Sequence, residues 1–473
     1  MRYETELDAA LQEIVTRWGV PGLAVGIVEG ADVVYAQALG VQSLETQAPV
    51  TLDSAFCTAS VSKCFVATAI LQLAERGTID LDGSLVQYLP CFQMDDPRHR
   101  QITIRQMLSH TSGMPDIHES EYDDMLAHPE RDDGAAERFV RGLSNSKLIA
   151  DPGERFSYSN IAYNALGDVI ARASGTSFEA YMREQILIPS GMPNSSFLLA
   201  DLPPDSLSVP HLRTPVMTVN PLGHPYHRAD APSSFLYATI LDMCHWGVTG
   251  LNRGSYLEQS VLSPTSYDAM WTPMADWGAS RPSMYEDMGL GWTLGRFKGA
   301  TTISHGGMGF GWSAFFLILP EKNRAAAILC NEESSARNRT VRAVADTLLD
   351  GLPQAGAVSW MVPITQALHE GGIQAAHDRV VEIVAGEAEE YAFDPNDLLN
   401  LVIQLVSAEK LDLAIDVLGL NLHVYPEHVA SYLERARLYV RVGESTLAEA
   451  DLLKALSLEP NHAAAADLLR MVQ

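Results

Sequence analysis

The chain has 473 residues, of which 47% are apolar and 19% charged, and these proportions are typical of a globular protein with a large core. Acidic residues outnumber basic residues 59 to 32, for a formal net charge of −27 at pH 7. Such a surface repels phosphate backbones and anionic lipids, so we expect neither nucleic acid nor a membrane as a partner. No apolar run approaches the roughly 18 residues that a membrane-spanning helix needs.

The N-terminal segment MRYETELDAALQEIV places acidic and apolar residues at helical spacing, which predicts a first helix. It lacks the basic start, apolar middle and small-residue cleavage site of a secretion signal, so we expect a cytoplasmic protein. The cysteines form no CxxC pair, which favours free, buried thiols over disulfides. They are Cys57, Cys64, Cys91, Cys244 and Cys330.

Strand-like runs occur near both ends of the first 350 residues. GLAVGIVEG and DVVYAQALG, joined by a Gly-Ala-Asp turn, predict a hairpin, and WSAFFLIL and RAAAILCN flank the turn PEKN. Between these runs, residues 60–76 carry apolar positions at helical spacing and end at Gly77, a residue suited to a C-terminal cap. We therefore predict a mixed α/β fold of the α+β type, in which helices flank an antiparallel sheet closed by distant parts of the chain.

The pattern changes near residue 350, where residues 351–362 form a predicted linker between a first domain, 1–350, and a helical one, 363–473. Pro426 and Pro460 lie 34 residues apart, the period of a tetratricopeptide repeat. The repeat's alternation of small and large residues is matched before Pro460 by Tyr432, Ala436, Tyr439, Ala448, Leu452 and Ala455. Before Pro426 the match is looser. We predict two repeats after an additional helix over about 363–385, and a generic helical bundle is the alternative.

Ser60 and Lys63, in the stretch CTASVSKCF, are the first candidates for chemistry. A serine hydroxyl attacks carbonyls poorly unless a neighbouring base accepts its proton. On a helix, residues i and i+3 share a face, so Lys63 would lie one turn from Ser60. A lysine held among apolar side chains loses hydration, which lowers its pKa and lets it act as that base. The structural alternative is that Ser60 caps the helix and Lys63 is a surface lysine.

A second segment, GERFSYSNIAYNALGDVI, contains Tyr158 and Asn160 just before a helical pattern. A phenol beside an ammonium ionises more readily, because the positive charge favours the phenolate. An asparagine amide can orient the lysine and also donate a hydrogen bond to a substrate carbonyl. These two residues therefore supply groups that an activated serine needs.

A third segment, TTISHGGMGFGWSAFF, places His305, Gly306 and Gly307 in an extended run. Glycines in such a run allow a substrate backbone to lie close against an edge strand. Met308 follows directly, and its backbone N–H is a candidate donor to the oxyanion that forms during acyl transfer.

In this order, the three segments resemble the motifs of the penicillin-recognising serine hydrolases, the β-lactamase-like and penicillin-binding-protein-like family. The resemblance runs over roughly residues 5–345 and is closest to the class C branch, which includes class C β-lactamases, D-aminopeptidase-type peptidases and the family's esterases. It also rests on the stretches SAFCTASVSKCF, ITIRQMLSHTSGMPD, DPGERFSYSNIAYNALG and ILIPSGMPNSSF. It implies a β-lactamase/transpeptidase-like fold and an acyl-enzyme mechanism.

The resemblance also implies a role for each matching residue. Ser60 would be the nucleophile, with Lys63 and Tyr158 as the proton-transfer pair. The Ser60 and Met308 N–H groups would form the oxyanion hole. The residues implied to contact the substrate or its oxyanion are Asn160, His305, Gly306, Gly307 and Met308.

One departure from the family pattern narrows the expected substrate. β-Lactamases place a lysine and a hydroxyl residue where this chain has His305 and Gly306, and those groups hold a substrate carboxylate through charge-assisted hydrogen bonds. A histidine that is mostly neutral at pH 7, followed by glycine, loses much of that binding. We therefore expect hydrolysis of an ester or amide that lacks the carboxylate. A D-amino-acid-type peptidase, a β-lactamase and an acyltransferase remain as alternatives.

A hypothesis of another class makes the protein a non-catalytic scaffold that binds a partner through the C-terminal repeats, although the complete set of Ser60, Lys63, Tyr158 and Asn160 argues against it. The expected partner is a small ester or amide substrate, with a protein partner or self-association through the repeats as a further expectation. No metal or other cofactor is expected.

Three further features of the sequence concern the surroundings of the site. His224 and His227, in PLGHPYHRAD, lie among prolines and a glycine, so a helical metal-binding pair is disfavoured. His110 is expected to support a loop near the active site. The run APSSFLYATILDMCHW, which includes Ser233, is expected to shape the pocket or to pack beside it.

Overall fold

An eight-stranded antiparallel sheet forms the centre of the fold. The computed structural model describes residues 2–117, 125, 127–278, 284–333 and 336–473. The sheet strands are β1 (Gly22–Glu29), β2 (Asp32–Gly40), β3 (Ala275–Asp276), β4 (Asp287–Met288), β5 (Thr293–Phe297), β6 (Ala300–Gly309), β7 (Trp312–Leu319) and β8 (Arg324–Cys330). Their spatial order is β2-β1-β8-β7-β6-β5-β4-β3.

The first and last strands of this sheet are neighbours, as the sequence predicted. β1 pairs with β8 so that Leu23 lies opposite Cys330, and β1 also forms the predicted hairpin with β2. Gly30 has φ 63° in the hairpin turn, a left-handed conformation that glycine adopts without strain. The predicted mixed fold is confirmed, because the antiparallel sheet contains two neighbouring strands, β1 and β8, from distant parts of the chain.

Helices cover both faces of the sheet. In the first 350 residues they are α1 (Glu4–Trp18), α2 (Ser62–Glu75), α3 (Leu85–Tyr88), α4 (Ile104–Leu108), α5 (Ala135–Gly142), α6 (Asn160–Ser174), α7 (Phe178–Tyr181), α8 (Ala231–Ser234), α9 (Ile240–Leu251), α10 (Pro264–Met270) and α11 (Ala336–Leu348). Alternate residues of β7 face opposite sides, so Phe316 packs in a core with α2 and Leu317 packs in a core with α1 and α11. The helix predicted over residues 60–76 corresponds to α2 and the turn before it.

Short elements complete this part of the chain. Met182–Leu187 forms one π-helical turn. Three strand pairs lie outside the main sheet: Phe56–Cys57 with Tyr237–Ala238, His211–Arg213 with Met217–Val219, and Ser255–Tyr256 with Gln259–Ser260. The first pair is the important one for the site, because it joins the segment before α2 to the segment after α8.

The residues after position 360 are mainly helical. The helices are α12 (Met361–Glu382), α13 (Pro395–Ser407), α14 (Leu411–Val424), α15 (Val429–Arg441), α16 (Ser445–Leu458) and α17 (Ala463–Val472). The predicted additional helix is α12, but Gly372 has non-helical angles and divides it into two segments. A two-residue parallel pair, Val358–Ser359 with Tyr391–Ala392, also departs from the prediction of helix throughout.

Small buried residues bring the last helices close together. Ala436 of α15 and Ala448 and Ala455 of α16 are fully buried in one cluster with Leu452. Among the described helices, none is both long enough and apolar enough to cross a membrane.

The C-terminal helices are hydrogen-bonded to the sheet-containing part through Arg213. This buried guanidinium donates to the Trp18 carbonyl at 2.9 Å, at the end of α1, and contacts Thr365 Oγ1 of α12 at 3.5 Å. The Arg213 N–H donates to Gln404 Oε1 of α13 at 2.6 Å. One residue therefore links the N-terminal helix, a central loop and the C-terminal helices.

We predict that Arg213→Ala lowers the free energy of unfolding by about 1–3 kcal/mol, because it leaves the buried Trp18 carbonyl without this donor. Chemical or thermal unfolding of the whole chain measures the change. The matched control is Arg17→Ala, which removes an exposed ion pair with Glu13 and should have little effect. Equal stability of the two variants would contradict the proposed link.

Candidate active site

Ser60 lies in a 3₁₀ turn, Ala59–Val61, that leads directly into α2. Ala59 has φ 45°, a left-handed conformation that is strained for a residue with a Cβ. The turn is held from outside: the Thr58 N–H donates to the Leu236 carbonyl at 2.8 Å, and the Leu236 N–H donates to Ser62 Oγ at 3.0 Å. The serine is therefore fixed at the positive end of a helix, where developing negative charge is stabilised.

Lys63 is fully buried and its amine faces three oxygen atoms. The Nζ atom lies 2.9 Å from Ser60 Oγ, 2.7 Å from Asn160 Oδ1 and 2.8 Å from the Ser233 carbonyl oxygen. It also lies over the rings of Tyr158 and Tyr163, at 4.9 and 5.6 Å from their centroids. The structure thus rejects the alternative of a surface lysine.

Burial lowers the pKa of Lys63 to about 7, although the negative charges of Asp116 and Asp230 act in the opposite direction. A neutral amine has two N–H groups and one lone pair. If the N–H groups donate to Asn160 Oδ1 and the Ser233 carbonyl, the lone pair is left for the Ser60 hydroxyl. This is the arrangement that a general base needs.

Tyr158 lines the same cavity as Ser60, and the Ser60 hydroxyl acts on the pKa of its phenol. From the sequence we expected the nearby ammonium to favour ionisation of this phenol and so to lower its pKa. In the structure burial instead raises the pKa of Tyr158 above its usual range, and the effect of the Ser60 hydroxyl opposes that rise only in part. Tyr158 therefore stays protonated at neutral pH and is available as a proton donor.

His110 positions Tyr158, as expected from the sequence. The two rings stack with centroids 4.1 Å apart, and the Ser159 N–H donates to His110 Nδ1 at 3.1 Å. Burial lowers the pKa of His110 well below its usual range, so the ring is neutral and its Nδ1 can accept. The histidine therefore holds the loop before α6 rather than the reacting atoms.

Asn160 is the first residue of α6, and Ser159 caps that helix by accepting from the Ala162 N–H. The Asn160 N–H donates to Asp116 Oδ1 at 2.8 Å, and its Nδ2 lies 3.3 Å from Asp116 Oδ2. Because Asp116 holds the NH₂ group, the Asn160 Oδ1 atom faces Lys63. The amide orients the lysine, as the sequence suggested, through a carboxylate that the sequence analysis did not identify.

The third motif lies on β6 and runs directly against the turn Ala59–Val61, which carries Ser60. A Cβ atom on Gly307 would lie 2.2 Å from the Thr58 carbonyl oxygen and 2.9 Å from the Ser60 nitrogen, so only glycine fits there. A Cβ on Gly306 would lie 2.8 Å from the Tyr285 hydroxyl. The Met308 side chain, next along the strand, is about half exposed. The backbone after Gly307 is thereby brought next to Ser60.

His305 is a buried residue of this strand. Its Nδ1 lies 2.7 Å from the Gly306 carbonyl oxygen, so Nδ1–H donates to it and Nε2 is left as an acceptor. Burial lowers the pKa of His305 to about 3, and the charge of Lys63 adds to that effect. No described residue hydrogen-bonds to the buried Nε2. Where the family pattern has a cation, this chain therefore presents a neutral ring.

The site opens into a small cavity of about 230 Å³. Its lining residues are Ser60, Tyr158, Trp277, Tyr285, Thr293, His305 and Gly306. Trp277 contacts both Tyr285 and Phe156, with ring centroids 5.0 and 4.7 Å apart. The space next to the serine is therefore small, and its lining combines aromatic rings with hydroxyl groups and the histidine.

All eight residues singled out from the sequence thus lie on three segments that meet at Ser60. The sequence analysis did not identify Asp116, Asn164, Asp230 or Arg337. Arg337 donates to the Gly307 carbonyl at 2.9 Å, and Asn164 donates to Asp230 behind Lys63. Asp116 ends the stretch ITIRQMLSHTSGMPD, but nothing in one sequence pairs it with Asn160.

All five cysteines are free, as expected, and Cys91 is the one that is not fully buried.

The chain is similar to several known proteins. Residues 7–350 match the family description Beta-lactamase. The relative Beta-lactamase-like protein 2 of Dictyostelium discoideum is 29% identical over 279 residues, which are 57% of this chain and 49% of that protein. Protein flp of Staphylococcus aureus (strain COL) is 25% identical over 339 residues, 70% of this chain and 64% of that protein. The chain therefore spans about half to two-thirds of the length of these relatives.

Among solved structures, the octameric penicillin-binding protein homologue from Pyrococcus abyssi superposes with a TM-score of 0.65 at 23% identity, over 81% of this chain and 82% of that one. At this identity the likeness concerns the fold. The family match shows more than the fold. It covers residues 7–350, which are more than half of the chain and include every residue of the site. We conclude that this protein belongs to the beta-lactamase family.

Proposed function

We propose that this protein is a serine hydrolase that cleaves a small ester or amide through an acyl-enzyme on Ser60. The observation that carries the proposal is the buried Lys63 amine 2.9 Å from Ser60 Oγ, with its other contacts already made to two oxygen acceptors. An amine so placed and partly neutral at pH 7 can remove the serine proton.

In the acylation step, Lys63 takes the Ser60 proton as Oγ forms a bond to the substrate carbonyl carbon. The carbonyl oxygen becomes an oxyanion, for which the Ser60 and Met308 N–H groups are the proposed donors. As the bond to the leaving group breaks, Tyr158 gives its proton to that group and regains one from Lys63. Water then attacks the acyl-enzyme, and its proton returns through the same pair to Ser60.

The polarity of the third motif supports a substrate without a carboxylate near the scissile bond. His305 is neutral and Gly306 has no hydroxyl, so neither group can form the charge-assisted hydrogen bond that a carboxylate needs. The aromatic cavity of about 230 Å³ suits a small acyl group. These features, with the tyrosine-serine-asparagine motif, are the basis for placing the chain near the class C branch and its esterases. Acyl transfer to an alcohol or amine is an alternative outcome of the same acyl-enzyme.

A second candidate, a β-lactamase or D-amino-acid-type peptidase, is favoured by Arg337. Its guanidinium reaches the Gly307 carbonyl beside the third motif and could supply the cation that His305 does not. The direct comparison of a carboxylate-bearing substrate with a neutral ester therefore decides between the two candidates.

We further propose that the C-terminal helices are a tetratricopeptide-like accessory region that binds a protein partner or a second copy. The support is the close crossing of α15 and α16 at buried alanines in positions that fit the 34-residue pattern. If Ser60 were unreactive, this binding role alone would remain, as a non-catalytic scaffold. A cytoplasmic location belongs to the same set of proposals.

We predict that a fluorophosphonate probe labels the wild-type protein at Ser60 and does not label Ser60→Ala, because among the described serines the Ser60 hydroxyl is the one hydrogen-bonded to a buried lysine amine. Peptide mass spectrometry locates the adduct. The exposed Ser457→Ala is the matched control and should label like the wild type. A wild-type protein that stays unlabelled at every pH would favour the scaffold over the enzyme.

The rate of this labelling should rise with pH through a midpoint near 7. The base is active when deprotonated, and the pKa of Lys63 is lowered to about 7. Lys63→Arg should reduce the rate by about 10²–10⁴-fold at every pH, since a guanidinium does not lose its proton. The exposed Lys147→Arg should keep the wild-type profile. A profile that is flat from pH 5 to 9 would show that Lys63 is not the base.

Short p-nitrophenyl esters should be hydrolysed with a higher kcat/KM than a chromogenic cephalosporin. Any cephalosporin turnover should fall in Arg337→Ala while ester turnover is kept, because the ester has no carboxylate for the guanidinium. Cephalosporin turnover that equals or exceeds ester turnover would instead select the second candidate.

A further inference from the structure

Close enough to Lys63 to act on its charge, two polar residues are buried together. Asp230 is 0% exposed and Asn164 is 1% exposed. The Asn164 Nδ2 group donates to Asp230 Oδ1, whereas Asp230 Oδ2 is buried without a hydrogen-bond partner among the described residues. A carboxyl group buried with one partner is costly, so its place in the fold needs a reason.

The pair joins the two elements that supply oxygen atoms to the Lys63 amine. Asn164 lies on α6, one turn after Asn160, whose Oδ1 accepts from Lys63. Asp230 immediately precedes α8, which carries the Ser233 carbonyl that also accepts from Lys63. The Ser233 hydroxyl donates back to the Asp230 carbonyl at 3.2 Å. The carboxyl-amide bond therefore closes a ring of contacts around the amine.

The packing of α6 on α8 keeps this ring tight. Gly167 lies on the same face of α6 as Asn164, three residues further on. A Cβ at Gly167 would lie 2.3 Å from Pro232 Cγ, so the glycine is what lets α8 approach. The position of the Ser233 carbonyl thus depends on a close apolar contact and on the neighbouring polar pair.

The pair also acts on the amine through charge. Burial raises the pKa of Asp230 to about 7, and the charges of Lys63 and Asp230 attract each other. The other titratable groups described around Lys63, which face it or exert a charge on it, are Asp116, Cys64, His110, Tyr158, Tyr163 and His305. Of these, Asp116 is the second carboxyl group. Because the sites titrate together, the removal of one carboxylate shifts the pH at which the amine becomes neutral.

We propose that Asp230 and Asn164 are positioning residues for Lys63: their bond fixes the two oxygen acceptors that aim the amine at Ser60, and the carboxylate sets the pH range in which the amine works as a base. This inference rests on the proposed function. It assigns a role in the reaction to two residues that touch neither the substrate nor Ser60.

The test uses the full chain and the rate of fluorophosphonate labelling at Ser60 between pH 5 and 9. Asp230→Asn keeps an oxygen for Asn164 but removes the charge, so the midpoint of the rise should move to lower pH by about half a unit or more. Asn164→Leu removes the bond, and the labelling rate on the high-pH plateau should fall about tenfold. The double exchange, Asn164→Asp with Asp230→Asn, restores a carboxyl-amide pair and should recover most of that rate.

Asp242→Asn is the matched control, because Asp242 is also a buried carboxyl group but contacts Asn194 and Ser195 instead of α6. It should lower the melting temperature without moving the pH midpoint. If the Asp230 and Asn164 variants behave in the same way, the pair is merely structural and the inference is wrong. If Asp230→Asn does not fold, the double exchange still tests the proposal. A plateau labelling rate of the double variant as low as that of Asn164→Leu overturns it. An unlabelled wild-type protein would refute the proposed function itself, whereas labelled variants identical to wild type refute only this inference.

Discussion

The burial of the Lys63 amine is the constraint on which the site depends. Removing an ammonium from water costs several kcal/mol, and three oxygen atoms within 2.9 Å offset part of that cost. These contacts do not fully offset the cost of burial, so the pKa of the Lys63 amine is lowered from 10.5 to about 7. A fully compensated lysine would stay charged and could not accept the serine proton.

The sheet contributes to this arrangement because its strand β6 places the third motif against the turn that carries Ser60. Gly307 leaves no room for a side chain between β6 and the Ser60 nitrogen, so the strand backbone becomes one wall of the site. The other walls come from α6, which begins at Asn160, and from the segment that starts α8. Four stretches far apart in the chain meet at one serine, and both backbone and side-chain hydrogen bonds from other elements hold them there.

Motif spacing predicted the parts of the site that depend on local geometry. Ser60 and Lys63 share a helical face wherever that helix lies, and Asn160 follows a capping serine at a helix start, so both could be found from sequence. The hairpin and the closing of the sheet followed from alternating apolar runs. Asp116 and Asp230 could not be predicted, because their importance comes from tertiary contacts with Asn160 and Asn164. The direction of the Tyr158 pKa was wrong for the same reason: burial, which a sequence does not show, outweighs the neighbouring charge.

Hydrogen bonds connect α13 of the C-terminal helices to the turn that follows β6, the strand of the third motif. Gln404 of α13 donates to the Glu333 carbonyl at 3.2 Å while its Oε1 accepts from Arg213. The Glu333 carboxyl group in turn accepts from the N–H of Gly311, in the turn that joins β6 to β7. Burial raises the pKa of Glu333 to about 7, so this contact weakens or changes character in the pH range where Lys63 titrates. Two hydrogen bonds therefore connect α13 to the turn next to the strand beside Ser60, although no described residue of the helical region lines the cavity.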